Sequence, residues 1–372
     1  MNTYFSSRGE QKSAWEILSQ RAVDARLEQH VPLAPLTTLK VGGVAEVYCA
    51  TDNESALGTL VMVASQHGIP ITILGSSSNV LINDAGIPGL VLQYTDATLT
   101  DEVKSGQLEI VAGAAVVWDD VVVRSLARGG VGIECLSGIP GSVGAAPVQN
   151  IGAYGQEVGA AIASVRALDV RTGRITVVPQ ANCAFGYRTS AFKTVWRTQY
   201  MVLGVTFRLS IGAPETPRHP EVLARAGTGS AAEIRAAVLS IRESKGMLIG
   251  HKNSLQSVGS FFVNPSITVE AFAALQVRYT DVPHWKNENG SIKLSAAWLV
   301  EKSGFHKGKK IGAVGISPLH TLAIVNYGGA NSAAVVHFAR EIQRSVQNQF
   351  AVWLEPEPQR LGFSEDPLGN LA

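Results

Sequence analysis

The sequence predicts an α+β chain of two or more lobes, and three observations carry that reading. Of its 372 residues, 46% are hydrophobic and 16% charged, a globular composition lean in charge, with enough apolar material for substantial cores. Up to residue 211, short strand-like runs punctuated by Gly or Pro are joined by few helices. "GAPETPRHPE" (212–221) then concentrates Pro, Gly and charge, which marks a linker, and beyond it the helical periodicity strengthens.

Each element has its own warrant. After a helix-like amino-terminal stretch (1–20), "NESALGTLVMVASQHG" (53–68) predicts a helix that Asp52 or Asn53 can cap and that Gly68 and Pro70 stop. "ITILG" (71–75) follows as a buried strand, then "VLI" (80–82), "LVLQY" (90–94) and "LEIVAGA" (108–114), with one good helix in "WDDVVVRSLARGG" (118–130). "RTGR" (171–174) is a hairpin loop between "VRALDV" and "ITVVP", and "MVLGVTFRL" (201–209) adds a further strand. Ile234, Ala237, Val238 and Ile241 recur at helical spacing, as do Val335, Phe338, Ala339, Ile342 and Val346, and "LSAAWLVEKSG" (294–304) makes a third helix.

Several function classes are disfavoured. A net charge of +1 with scattered basic residues lacks the positive field that nucleic-acid backbones require. The amino terminus has neither an apolar core nor a small-residue cleavage site, so a cytoplasmic location is expected. Cys49, Cys135 and Cys183 are odd in number and widely spaced, as suits reduced thiols, and no metal site is suggested because no Cys-x-x-Cys pair or helical His pair occurs.

The stretch "CLSGIPGSVGAAPVQNIGAYGQ" (135–156) carries no charge at all. Its glycines, Pro140 and Pro147, and polar Gln149 and Asn150 make a lipid-spanning helix untenable, so no membrane insertion is expected and a soluble loop is. Glycine clusters expose backbone N–H groups that can cradle phosphate oxygens, and "LGSSSNVLI" (74–82) offers the same, with three serine hydroxyls added. Gly130-Val-Gly132 and Gly227-Thr-Gly229 lack the third glycine of the Rossmann fingerprint, and no Walker A run occurs, so a dinucleotide site here is non-Rossmann.

These two stretches stand in order with "TTLKVGG" (37–43), "GYRTSAFK" (186–193), "VGSFFVNP" (258–265) and "WLEPE" (353–357). Together, over roughly residues 36–362, they resemble the UDP-N-acetylenolpyruvoylglucosamine reductase family of peptidoglycan precursor synthesis. The resemblance implies an FAD-binding fold of the PCMH or vanillyl-alcohol-oxidase type, two-lobed, with a smaller α+β domain capping the substrate. It implies an FAD-binding domain over 30–212, with sub-lobes of about 30–100 and 101–212, a substrate domain over 213–355, and a tail over 356–372 packing back near the flavin.

The resemblance also implies roles. Gly75, Ser76, Ser77, Ser78 and Asn79, with Ile139, Pro140, Gly141, Ser142, Val143 and Gly144, match pyrophosphate contacts, while Asn150, Gly152 and Ala153 match positions near the isoalloxazine. The flavin is expected to dissociate, because the loop offers serines where relatives with covalent flavin have a tether such as histidine. NADPH delivers a hydride to the flavin, which passes it to C3 of the enolpyruvyl group. Arg188 matches the cation that stabilises the resulting charge, Ser260 the proton donor to C2, and Glu357 the carboxyl group beside Arg188. Tyr154, Lys245, Asn264, Lys293 and Lys307 match the substrate side. A monomer with the UDP-sugar and NADPH as partners is expected, acting in cell-wall synthesis and so in cell shape and division.

The chain departs from the family pattern at "HPEV" (219–222), which puts His219 near a substrate-covering tyrosine. It departs also at Gln359, with Arg360 one place late, and at Val263 and His320. Two other readings stay open: another flavin-dependent oxidase or dehydrogenase of the same fold, and a non-catalytic binding module.

Overall fold

The computed structural model describes residues 12–21, 24–252 and 254–369. The chain forms three lobes, each around its own sheet. In the first, a four-stranded sheet runs in the order Leu27–Pro32, Val44–Thr51, Ile87–Tyr94, Ile71–Leu74. The outer pair at the amino-terminal edge is antiparallel and the rest parallel. The parallel step between Val44–Thr51 and Ile71–Leu74 requires a crossover, which the helix Glu54–Gln66 supplies. Of the two expected caps, Asn53 does the work: its Oδ1 accepts from the Ala56 N–H at 3.1 Å. Leu57, Leu60, Val61 and Ala64 of that helix bury against Val47, Cys49, Leu90 and Leu92 of the sheet.

The second lobe is an antiparallel sheet in the order Ile175–Pro179, Ile162–Asp169, Tyr200–Ile211, Gln107–Gly113, Leu99–Lys104. The expected hairpin stands, with Ile162–Asp169 and Ile175–Pro179 paired around the turn. Val165, Val205, Phe207, Leu108 and Ile110 form the core with Trp118 and Val122 of the helix Trp118–Ala127. Leu168, Met201 and Leu203 turn instead into the first lobe's core, so the two lobes share apolar packing.

In the third lobe, a sheet ordered Gln256–Ser260, Ala323–Asn326, Val314–Ile316, Lys310–Ile311 carries the helix Ser332–Phe350. The expected stripe of that helix, Val335, Phe338, Ala339, Ile342 and Val346, is buried throughout, and Leu39, Val41 and Leu81 of the first lobe join the same cluster. Before this lobe, the helices Pro220–Ala226 and Ala231–Ser244 close Val222, Ile234, Val238 and Ile241 over Cys135.

The expected linker is shorter than its composition suggested. Pro220 and Glu221 already form the first turn of Pro220–Ala226, because a proline at the start of a helix loses no bond there. Of the amino-terminal helix-like stretch, Ala14–Ser19 is helical, closed by a capping box between Ser13 and Glu16, and residues 1–11 lie outside the described residues. All three cysteines are free and buried, and burial pushes the Cys49 and Cys183 thiols up to about 11 and Cys135 to about 12. Among the described residues, no helix is long and apolar enough to cross a membrane.

Candidate active site

A cavity of about 520 Å³ opens where the lobes meet, within the size range of small-molecule sites. One wall is Gly75–Asn79, which leaves the first lobe's strand Ile71–Leu74. The facing wall is the uncharged stretch, from Ile139 through Ser142 and from Gly144 through Ala146. That stretch is less loop-like than expected. It folds into a 3-10 turn, Val143–Ala145, running into a single helical turn, Ala146–Gln149, with Pro147 at its start.

The two walls nearly touch. The Ser78 hydroxyl donates to the Pro140 carbonyl at 3.3 Å. Gly141 holds φ +132°, and a Cβ there would lie 3.1 Å from Ser78 Oγ. A Cβ on Gly75 would lie 3.2 Å from Ser142 Oγ. Both positions need glycine, one for its backbone angle and both for close approach. Ser142 Oγ and Asn79 Oδ1 are buried without a hydrogen-bond partner. Buried polar atoms left unpaired are uncommon, and in a cavity they mark where a ligand's polar groups sit.

Arg188, Ser260 and Glu357 come from distant parts of the chain and line this same cavity. Arg188 Nε lies 3.4 Å from Glu357 Oε1, and its NH2 donates to the Gly152 carbonyl at 2.6 Å. Gln149 Nε2 donates to the same Glu357 oxygen at 2.9 Å, a contact that no pattern in the sequence signals. The Glu357 N–H donates to the Phe261 carbonyl at 2.8 Å, tying the carboxyl residue to the end of the serine's strand. Gln359–Leu361 then pairs in parallel with Val80–Ile82, which seats the chain's last segment beside Asn79.

Ser260 ends the strand Gln256–Ser260, just before buried Phe261 and Phe262. Its Oγ lies 3.3 Å from His320 Nε2. Burial, followed by the charges of Lys245, Lys307 and Arg242, holds the His320 imidazole down to about 4. It is therefore neutral at physiological pH and can carry a proton on only one ring nitrogen. Unfolded histidine binds its proton near pH 6.5, so stability should fall as pH drops from 6.5 through 4. The loss is expected to be at most about 2 kcal/mol at pH 5, and His320→Gln should flatten that part of the profile, as urea midpoints at pH 7 and pH 5 would show.

The expected site residues Val143 and Asn150 do not line the cavity. Val143 is fully buried in the second lobe's core. Asn150, at φ +44°, donates to Glu157 Oε2 and the Gly186 carbonyl and accepts from the Gly159 N–H, so its side chain is occupied by the protein. Gly152 lines the cavity, and Ala153 follows in the short strand Gly152–Ala153.

None of the five expected substrate-side residues is among those that line the cavity. Tyr154 packs edge-on against His219 at 5.1 Å, and Lys245 Nζ sits 5.9 Å from the same tyrosine ring while pairing with Glu221 at 2.7 Å. Lys293 Nζ lies 4.7 Å from the Tyr187 ring, Asn264 Oδ1 accepts from the Ala296 N–H, and Lys307 is exposed. His219 Nδ1 is buried without a partner. Arg360, one place late, is tied to Asp366 and to the Pro358 carbonyl, while Gln359 faces the cavity.

Residues 45–178 match a family described as "FAD binding domain", and residues 251–361 match "UDP-N-acetylenolpyruvoylglucosamine reductase, C-terminal domain". The UDP-N-acetylenolpyruvoylglucosamine reductase of Thermobifida fusca is 38% identical over 351 residues, 90% of this chain and 98% of that one. That of Mycobacterium marinum is 40% identical over 356 residues, 91% of this chain and 96% of its own. The crystal structure of UDP-N-acetylenolpyruvylglucosamine reductase from Thermus caldophilus aligns with a TM-score of 0.60 at 25% identity, over 91% of this chain and 99% of that chain. With relatives this similar spanning nearly its whole length, the chain belongs to the UDP-N-acetylenolpyruvoylglucosamine reductase family.

Proposed function

We propose that this chain is the NADPH-dependent flavoprotein that reduces UDP-N-acetylenolpyruvoylglucosamine to UDP-N-acetylmuramate, with Arg188, Ser260 and Glu357 acting on the substrate. The single observation that supports this most is convergence: the three residues line one cavity with both glycine-serine walls. FAD fits there because Ser142 Oγ and Asn79 Oδ1 lack partners and because Gly75 and Gly141 leave room for phosphate against bare amides. Serines Ser76, Ser77 and Ser78 add hydroxyl donors to the same wall.

When bound, FAD accepts a hydride from NADPH and supplies it to C3 of the enolpyruvyl group. The protein's task is then the charge left at C2, which spreads into the neighbouring carboxylate. Arg188 meets that charge with a guanidinium that stays ionised and can grip both carboxylate oxygens. Gln149 and Arg188 share Glu357 Oε1, and this holds the carboxyl group in place beside the guanidinium. Ser260 holds the proton for C2 at Oγ. A hydroxyl is a weak acid, and the N–H of a neutral His320, on its Nε2, would steady the oxygen as the proton leaves.

Tyr154, Lys245, Asn264, Lys293 and Lys307 would line the approach of the diphosphate and sugar, with His219 on Tyr154 in place of a covering tyrosine. The domain division at about residue 212 and a capping role for the third lobe belong to the same reading, as do a monomeric state, a cytoplasmic setting and a part in cell shape and division. Reconstituted enzyme given NADPH and the enolpyruvyl nucleotide should yield a product heavier by the mass of two hydrogens. If the sugar returns unchanged while NADPH is consumed, an oxidase reading takes its place.

A further inference from the structure

The half-buried Lys193 lies beside Arg188, and neither the family resemblance nor the reaction above gives it a task. Its surroundings suggest one. Gly186 and Thr189 close a four-residue turn through paired N–H to carbonyl bonds of 3.0 Å, and Arg188 is the third residue of that turn, at φ +55°. That corner ordinarily falls to glycine or asparagine, because a side chain in the left-handed region is strained. An arginine persists there only if its surroundings hold it.

Three contacts fix the frame of the turn. The Asn150 amide donates to the Gly186 carbonyl at 2.9 Å, Ser190 Oγ donates to the Val148 carbonyl at 2.8 Å, and the Lys193 N–H donates to the Ser190 hydroxyl at 3.3 Å. None of them touches the strained peptide itself. Lys193 Nζ does, donating to the Arg188 carbonyl at 2.8 Å. The left-handed bend sets the direction of that carbonyl, so a donor on it selects the bend. A charge-assisted hydrogen bond is comparable in size with the cost of one non-glycine residue in the left-handed region, so it can decide which way the peptide faces.

We infer that Lys193 is a positioning residue: by holding the Arg188 carbonyl it locks the left-handed turn that delivers the guanidinium to Glu357 and to the substrate carboxylate. This rests on the proposed role of Arg188. Lys193 forms no ion pair among the described residues, so its charge is not committed to a carboxylate. Burial is the largest influence on its ammonium and lowers its pKa, with Arg360, Arg188 and Arg197 adding to that and Glu357 opposing it. A lysine held half-buried among arginines for the sake of a backbone carbonyl suits a conformational lock better than a solvated surface charge.

The test uses flavin-loaded Lys193→Met, Lys193→Arg and Arg188→Ala, each with two readouts. The first is the rate at which the enolpyruvyl nucleotide reoxidises the reduced enzyme. Lys193→Met should slow this roughly 10- to 100-fold, since small displacements of a reacting group cost that much, while reduction by NADPH stays within about twofold. Lys193→Arg should recover part of the loss, and Lys193→Met should add nothing in the Arg188→Ala background. The second readout is calorimetric affinity without turnover. Lys193→Met should weaken binding of the enolpyruvyl nucleotide several-fold but leave that of UDP-N-acetylglucosamine, which lacks the carboxylate, unchanged. If Arg188→Ala itself leaves reoxidation intact, the proposed role of Arg188 has failed. If Arg188→Ala is crippled while Lys193→Met matches the unmodified enzyme, the positioning role alone has failed. Equal slowing of both half-reactions, equal loss of both ligands, or loss of bound flavin in Lys193→Met would reduce Lys193 to a general structural residue and overturn the inference.

Discussion

Ser260→Ala is expected to leave reduction of the bound flavin by NADPH intact while slowing transfer to the enolpyruvyl nucleotide by about 10²- to 10⁴-fold, the usual worth of a positioned proton donor. The hydroxyl sits at the end of the strand Gln256–Ser260, 3.3 Å from His320 Nε2, and lines the cavity that Arg188 and Glu357 also line. Removing one oxygen from a half-buried surface site costs little stability, and the neighbouring Phe261 and Phe262 keep the strand end in place. Without Ser260, charge at C2 still forms against Arg188 but has no proton to quench it. Rapid mixing, followed at the flavin band in each half-reaction, separates the two steps. Equal slowing of both would remove Ser260 from its assigned role.

Gly141→Val is expected to lose the cofactor itself. The position holds φ +132°, where a β-branched residue is strained, and its Cβ would meet Ser78 Oγ of the facing wall at 3.1 Å. A loop that shifts to relieve this strain in the free protein must return to it on binding, at about 1–3 kcal/mol, and each 1.4 kcal/mol is about tenfold in affinity. Adding the separation of the two walls, FAD affinity should fall by about 100-fold or more. Titration of apoprotein with FAD, read by quenching of flavin fluorescence, checks this. Because Gly141 belongs to none of the buried apolar clusters, the apoprotein's melting temperature should change little, and a large drop in it would mean that Gly141 serves the fold and not the ligand.

Much of the fold was legible because some elements announce themselves locally. Asn53 before an apolar periodic run, and the stripe from Val335 to Val346, are signals within one helix, and both helices lie where expected. The edge strands Leu27–Pro32 and Leu99–Lys104 were missed because they are mostly exposed and carry no alternation of apolar and polar residues. The third lobe's strands are two to five residues long, and Gln256–Ser260 finds its partner only at Ala323–Asn326, so their identity comes from partners and not from their own composition. The helix Val269–Arg278 went unread although Thr268 caps it.

The candidate site divides the same way. Glycine and serine stretches stand out in the sequence because their side chains are absent or small, whereas the short runs around Arg188, Ser260 and Glu357 stand out only through the family resemblance. What joins them does not. Gln149 reaches Glu357 across 208 residues, and His320 reaches Ser260 across 60. Contacts of that span leave no periodicity to read. Asn150 shows the converse: its place beside the site is visible in sequence, but the three bonds its side chain makes to the protein emerge only in the fold.

The most direct measurement is anaerobic: purified protein loaded with FAD, a visible spectrum, then excess NADPH with and without UDP-N-acetylenolpyruvoylglucosamine. A yellow protein is expected that consumes about one NADPH per flavin when alone and, with the sugar added, continues until the sugar is exhausted. A colourless protein after soaking in excess FAD, or NADPH consumption indifferent to the sugar, would contradict it.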